Sequence, residues 1–161
     1  MLRRSVVAIV RAAAVVAAWV AIDFLCIVPY RANIELGELK ERSMLAQRVD
    51  PQRAAIVARS NLADLERIAR ARRLDPAWYM IYGSNMEILD RLPQAAEAYT
   101  AALRIDDRPE LYVNRAMVYV HLGRTDEAVA DLAKAVRFNP QILRYLEGDL
   151  RARVAAAAGL R

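Results

Sequence analysis

The sequence predicts an all-α protein, and three observations carry that prediction. Positions recur at a spacing of 33 from about Pro76 to Asn139: Tyr79 returns as Tyr112, Ala95 as Ala128 and Ala102 as Ala135. Within each unit, small and large residues fall at i, i+4 and i+7, the period of one helix face. No stretch alternates apolar and polar residues as a half-buried strand would. Units of this length stack as helical hairpins that bury their apolar faces only against neighbours and present binding surfaces.

The first element is apolar. Ser5 to Val28 is almost wholly so, preceded by Arg3 and Arg4 and followed by Pro29-Tyr30-Arg31. As a helix its roughly 24 residues span about 36 Å, against a bilayer core of about 30 Å. A cleavable signal peptide shares the charged start and apolar run. No small-x-small site closes this run, however, and Asp23-Phe24-Leu25-Cys26 is a poor lipoprotein box. Residues 1–29 therefore read as a cytoplasmic tail and transmembrane anchor. Arg11 and Asp23 interrupt the anchor near its two ends, where a charge costs much less than at the centre. Ala13, Ala17 and Ala21 form a small-xxx-small row along which helices approach closely in a membrane. Read functionally, these five residues contact partner transmembrane helices within the lipid bilayer. Arg3 and Arg4 favour a cytoplasmic N-terminus, placing the remaining chain in the periplasm. The excess of arginine over lysine fits a GC-rich bacterial genome, and hence a single-pass protein of a bacterial inner membrane. Cys26 lies inside the run as a buried structural thiol, and a lone cysteine can form no intramolecular disulfide.

Residues 30–50 read as a juxtamembrane linker helix, with Ile34, Leu36, Leu39, Leu45 and Val49 among Glu35, Glu38, Lys40, Glu41 and Arg42. Gly37 is expected to interrupt it, but nothing is Gly/Ser-rich, so the connection is stiff. Residues 51–75 read as a degenerate hairpin whose second helix is NLADLERIARARRLDP. Residues 76–108 and 109–140 are the two clear units. On the first helix of each, Gly83 or Ala116 lets the second helix approach closely. That second helix carries Ala95, Tyr99 and Ala102, or Ala128, Leu132 and Ala135, on one face. Asp75-Pro76 and Asp107-Arg108-Pro109 place proline in a first turn, Gly123 supplies a left-handed stop, and Thr125 is expected to cap the next start. Two units are too few to stand alone. Residues 51–75 and 141–161 close the core from either side, the latter as a capping helix with Ile142, Leu143, Leu146, Leu150 and Val154, bent at Gly148.

The second unit, PELYVNRAMVYVHLGRTDEAVADLAKAVRFNP, resembles the tetratricopeptide repeat (TPR) family in its Gly123 turn, Ala128, Ala135 and closing Asn139-Pro140. The first, PAWYMIYGSNMEILDRLPQAAEAYTAALRIDD, is similar, with Asp90 in place of the turn glycine and Asp107 in place of the closing proline. The resemblance covers roughly half the chain. It implies a short TPR-like helical-hairpin solenoid behind the transmembrane helix, a module for protein interaction with no activity of its own. It also implies a groove lined by the first helices: Met80, Ser84, Glu87, Val113, Asn114, Met117 and His121. These are mostly apolar or neutral, with methionines that adapt to varied surfaces. The lysines and asparagines with which one subgroup of the family grips a peptide carboxylate are matched only by Asn114. An apolar segment or helix is the expected ligand.

Catalysis finds no support. The sequence has no Gly-rich phosphate loop, nucleophile elbow or paired-carboxylate motif. One histidine and one cysteine provide no set of metal ligands, so neither metal nor cofactor is expected. His121 reads as an ordinary surface histidine, and Asp106-Asp107 as solvated capping residues. The net charge of +5 has a local source: Arg67, Arg70, Arg72 and Arg73 cluster before the first repeat, with Arg53 and Arg59 earlier. This basic patch could meet anionic lipid headgroups or an acidic partner, or form a solvated face paired with Asp64 and Glu66. Nucleic acid is disfavoured, because no recognition motif accompanies the arginines. The expected function is a non-catalytic membrane-anchored scaffold, an accessory or structural subunit binding other proteins of a larger membrane complex. The alternative is an assembly, secretion or import adaptor that binds client segments transiently through the groove.

Overall fold

The structure, a computed structural model, describes residues 13–72 and 75–160, and every regular element among them is a helix. Helix α1 runs Ala13–Ala46, α2 Pro51–Arg72, α3 Pro76–Ile88 and α4 Leu92–Leu103. Helix α5 runs Pro109–His121, α6 Thr125–Phe138 and α7 Gly148–Ala158. Consecutive helices pack on one another, and α1 also packs on α3. The chain thus forms three hairpins, α1–α2, α3–α4 and α5–α6, closed by α7.

Helix α1 is one element where the sequence suggests two. Pro29 has no N–H to donate to the carbonyl of Leu25. The chain accommodates it with a π turn over Asp23–Ile27, in which the Val28 N–H reaches back five residues to the Asp23 carbonyl. The α-helix then continues unbroken from Val28 to Ala46, through Gly37. A glycine inside a helix costs only about 1 kcal/mol relative to alanine, and its buried neighbours Leu36 and Leu39 hold that turn in the core. The expected linker is therefore the first helix of a hairpin. The hairpin expected within residues 51–75 is instead the single helix α2, whose partner is α1.

Exposure changes sharply along α1. Val15, Val16, Trp19, Val20, Ile22 and Leu25 are all more than half exposed, and Cys26 is exposed rather than buried. From Ala32 onward, Ala32, Leu36, Leu39, Ser43 and Ala46 form a buried stripe at helical spacing. The exposed portion is long and apolar enough to serve as a membrane anchor or a signal sequence.

The core forms in three clusters. Leu36 and Leu39 of α1 meet Leu65, Ile68 and Ala69 of α2 and Trp78 and Ile81 of α3. Met86 packs with Ala95, Tyr99 and Ala102 of α4 and with Leu111 and Val118 of α5. Ala116 packs with Ala128, Leu132 and Val136 of α6, and with Leu146 and Val154. Beside the first cluster lies a buried polar knot. Asn61 Nδ2 donates to Ser43 Oγ and Asn85 Oδ1, both at 3.1 Å, and Asn85 Nδ2 donates to Ser43 Oγ at 2.9 Å. Ser43 donates in turn to the Leu39 carbonyl and Asn85 to that of Ile81. One residue from each of α1, α2 and α3 is thereby tied to the other two.

The two sequence repeats differ at the points where helix meets helix. A Cβ on Gly83 would lie 2.9 Å from the Tyr99 ring. The equivalent pair 33 residues on is Ala116 and Leu132, a larger small residue matched with a smaller large one. The turns, by contrast, are alike. Gly123 has φ of 72°, and its N–H bonds to the Val120 carbonyl while that of Arg124 bonds to Tyr119. Asp90 has φ of 57° and the same pair of bonds recurs, from Asp90 to Glu87 and from Arg91 to Met86. Both helices end in a Schellman stop. Thr125 is not a cap: Arg124 holds that position, and its guanidinium binds Glu127 instead. Nor do Asp106 and Asp107 cap α5. Asp106 pairs with Arg108, and Asp107 accepts the Tyr112 hydroxyl. The C-terminal cap is split, a 3-10 turn over Pro140–Tyr145 followed by α7 starting at Gly148.

This packing makes three expectations measurable. Gly83→Ala is expected to destabilise the fold by about 1–2 kcal/mol, overpacking outweighing the gain in helix propensity. In a Tyr99→Leu background the same change is expected to cost little, which a double-mutant cycle of melts will show. Asp90→Gly is expected to stabilise by about 0.5–1 kcal/mol and Gly123→Ala to destabilise by about 1–2 kcal/mol, as read by denaturant titration. The third concerns Glu87, which accepts the Tyr99 hydroxyl. Burial holds its carboxyl above the ordinary value of 4.5, against the opposing pull of Tyr99 and His121. The folded state therefore binds this proton more tightly than the unfolded chain, and stability is lost as pH rises through the raised value. Glu87→Gln keeps an acceptor for Tyr99 and removes the charge. It is expected to raise Tm at neutral pH and to lose that advantage below the ordinary carboxylate pKa.

Candidate protein-binding groove

The first helices of the three hairpins, α1, α3 and α5, lie side by side and form a shallow cleft of about 210 Å³. Lys40, Ser43, Met44 and Gln47 come from α1 and its end, Met80, Ile81 and Ser84 from α3, and Asn114 from α5. Gln47 Nε2 donates to Ser84 Oγ at 3.2 Å, joining the end of α1 to α3 within the cleft. Met44 and Met80 are its adaptable apolar walls. The floor includes Ser43, so the knot that joins the three helices also sets the spacing of this surface.

Of the groove residues expected from the sequence, Met80, Ser84 and Asn114 line this cleft together. Glu87 lies about two turns from Met80, half-buried and committed to Tyr99. Met117 and His121 are exposed further along α5. Val113 is turned against the core cluster of α5 and α6, because the face it shares with Ala116 packs inward. Lys40, Met44 and Gln47 were hidden by reading residues 30–50 as a linker. The spacing of Leu36, Leu39, Ser43 and Ala46 was the available signal that this segment has an inward face. With it comes a lysine on the groove wall that the two repeats alone lack.

The anchor residues Ala13, Ala17, Ala21 and Asp23 are exposed on α1, and Arg11 lies outside the described residues. Asp23 opens the π turn. In the basic patch, Arg67 reaches Glu35 at 3.2 Å and Asp64 at 3.6 Å, so it clamps α2 to α1 instead of presenting a free cation. Arg73 and the side chains of Arg70 and Arg72 lie outside the described residues. Among the described residues, no group of three or more His, Cys, Asp or Glu side chains is placed to hold a metal ion.

Residues 109–142, which include α5 and α6, match the family model described as tetratricopeptide repeat. The whole arrangement is similar to the crystal structure of a thermophilic TPR protein of Thermus thermophilus. The TM-score is 0.64 and identity 24%, over 87% of this chain and 69% of that one. At that identity the likeness bears on fold alone. Helical hairpins stacked in this way, one of them matching the repeat model, make this an all-α, TPR-like repeat chain, a type of fold that binds other proteins.

Proposed function

We propose that this chain is a non-catalytic, membrane-anchored TPR scaffold, an accessory or structural subunit that binds other proteins of a larger membrane complex. The observation that carries this reading is the continuity of α1. Its exposed apolar portion and its buried stripe belong to one helix, and only about four residues, or roughly 6 Å of helix, separate Val28 from Ala32. A transient tether needs slack between anchor and binding module; here there is none. The repeats stand directly at the membrane surface in a set orientation, as suits a built-in subunit.

In this reading the anchor spans a bacterial inner membrane once, with a cytoplasmic N-terminus and periplasmic repeats. Ala13, Ala17, Ala21 and Asp23, together with Arg11, meet partner transmembrane helices, since a small-residue row and two charges on one helix serve a neighbour that lipid alone would not require. The groove of Met44, Met80, Lys40 and Asn114 takes an extramembrane segment of a partner, apolar with polar ends.

Gentle solubilisation of native membranes, followed by recovery through a C-terminal tag, is expected to return a fixed stoichiometric set of membrane proteins. Recovery of the chain alone with scattered substoichiometric clients would overturn the subunit reading in favour of the adaptor. Introducing Met44→Lys and Met80→Lys is expected to weaken the extramembrane partner by at least about 2 kcal/mol while leaving anchor-bound partners in place, as measured by the composition of the recovered complex.

A further inference from the structure

On the side of the repeats away from the groove, α2, α3 and α4 enclose a larger cleft of about 420 Å³. Trp78, Tyr79 and Tyr82 of α3 line it, Glu66 of α2 and Glu97 of α4 flank it, and Ala98 and Ala101 leave it open. The aromatic cluster is held in place. Trp78 stacks on Tyr82 at 5.2 Å, meets Tyr79 edge-on at 5.1 Å, and donates its indole N–H to the Leu65 carbonyl. Glu66 and Glu97 are exposed, and none of the ion pairs among the described residues engages either one.

The second repeat shows what chemistry belongs at this place. Shifted by 33 residues, Tyr79 becomes Tyr112, Tyr82 becomes Arg115, Ala98 becomes Asp131 and Ala101 becomes Lys134. There the tyrosine face is covered from within: Lys134 Nζ lies 5.1 Å from the Tyr112 ring centre and the Arg115 guanidinium 6.0 Å. Arg115 is held by Asp131 through two hydrogen bonds of 2.7 and 2.8 Å. The first repeat keeps the tyrosine as Tyr79, adds the Trp78 and Tyr82 rings and has carboxylates beside them, but has Tyr82 and Ala101 where the second has its two cations.

We propose that the cleft between α2, α3 and α4 is a receptor for a single arginine side chain carried by a partner protein. A planar guanidinium stacks on aromatic faces and offers forked donors to carboxylates, which an ammonium cannot do in the same way. Glu66 and Glu97 supply the opposite charge. This site is separate from the groove of α1, α3 and α5 and does not depend on the role given to that groove.

The test uses the full chain in detergent carrying Trp19→Phe, which leaves Trp78 as the single tryptophan. The probe is a short peptide blocked at both ends with one arginine among glycines, compared with its citrulline and lysine counterparts. The arginine peptide is expected to change Trp78 emission saturably, with binding weakened at least about five-fold by Glu66→Gln with Glu97→Gln. Both substitutions lie on exposed positions, so the fold is retained. The citrulline peptide is expected to give no saturable change. An equal response to citrulline, a tighter response to lysine, indifference to Glu66→Gln with Glu97→Gln, or no saturation by about 20 mM peptide would each overturn the proposal. Self-association of the chain that disappears in the same double variant would assign the cleft to a second copy, and would equally overturn the partner's arginine.

Discussion

Ser43, Asn61 and Asn85 are buried at the meeting of three helices, and the arrangement of the N-terminal half depends on their satisfying one another. The neighbouring contacts are between Leu, Ile, Ala and Trp side chains, which tolerate small slips and rotations. Amides do not. Sliding α1 along α2 by a turn would take the Ser43 hydroxyl away from Asn61 and Asn85, at roughly 1–3 kcal/mol for each buried group left unsatisfied. One acceptor of the knot, Asn61 Oδ1, meets no donor among the described residues. The knot therefore adds little net stability and instead selects a single register, as a lone buried asparagine does in a coiled coil. Because Ser43 belongs to the helix that also carries the apolar N-terminal segment, that register extends to the whole length of α1.

Stability is supplied elsewhere, by alternating small and large residues down the stack. Gly83 receives Tyr99, and Ala116 sits in the cluster of Leu132. Further along, the Arg115–Asp131 pair ties α5 to α6, and Arg115 also donates to Thr100 of α4 at 2.9 Å. This pair is nearly buried and bidentate, so removing one partner would strand a charge. The first repeat carries an aromatic cluster where the second carries an ion pair between its own two helices. Two copies of one pattern have thus taken different chemistry on the same backbone.

The sequence made the repeats legible because their rules are local and periodic. Ala95, Tyr99 and Ala102 announce a helix face by spacing alone, and Gly123 announces a stop by its freedom to adopt positive φ. Asp90, read as a departure from the pattern, performs the same left-handed turn. The first hairpin was obscured because strong local signals pointed the wrong way. Gly37 read as an interruption, but core packing outweighs it, and a π turn carries the helix on past Pro29. An apolar run at one end of α1 also drew attention from the quieter spacing of Leu36, Leu39, Ser43 and Ala46. The polar knot had no signature in the chain, since Ser43, Asn61 and Asn85 are distant in sequence and of types ordinarily found at the surface. Groove residues contributed by α1 were lost with it, and Val113, expected in the groove, lies half-buried against the cluster of α5 and α6.

The π turn at Asp23–Ile27 has a consequence in angle rather than in energy. An α-helix advances about 100° around its axis with every residue, and a π turn winds less tightly for the same rise in sequence. The row of Ala13, Ala17 and Ala21 lies before this turn and the buried stripe beginning at Ala32 lies after it. Their relative azimuth is therefore set by the five residues of the turn. Adding or deleting one residue there would swing the repeats by roughly a quarter of a revolution about the helix axis. A partner that touches both the alanine row and the groove would then find one of them facing away. Pro29, which obliges the chain to make that turn, thus fixes the compass bearing of the repeats.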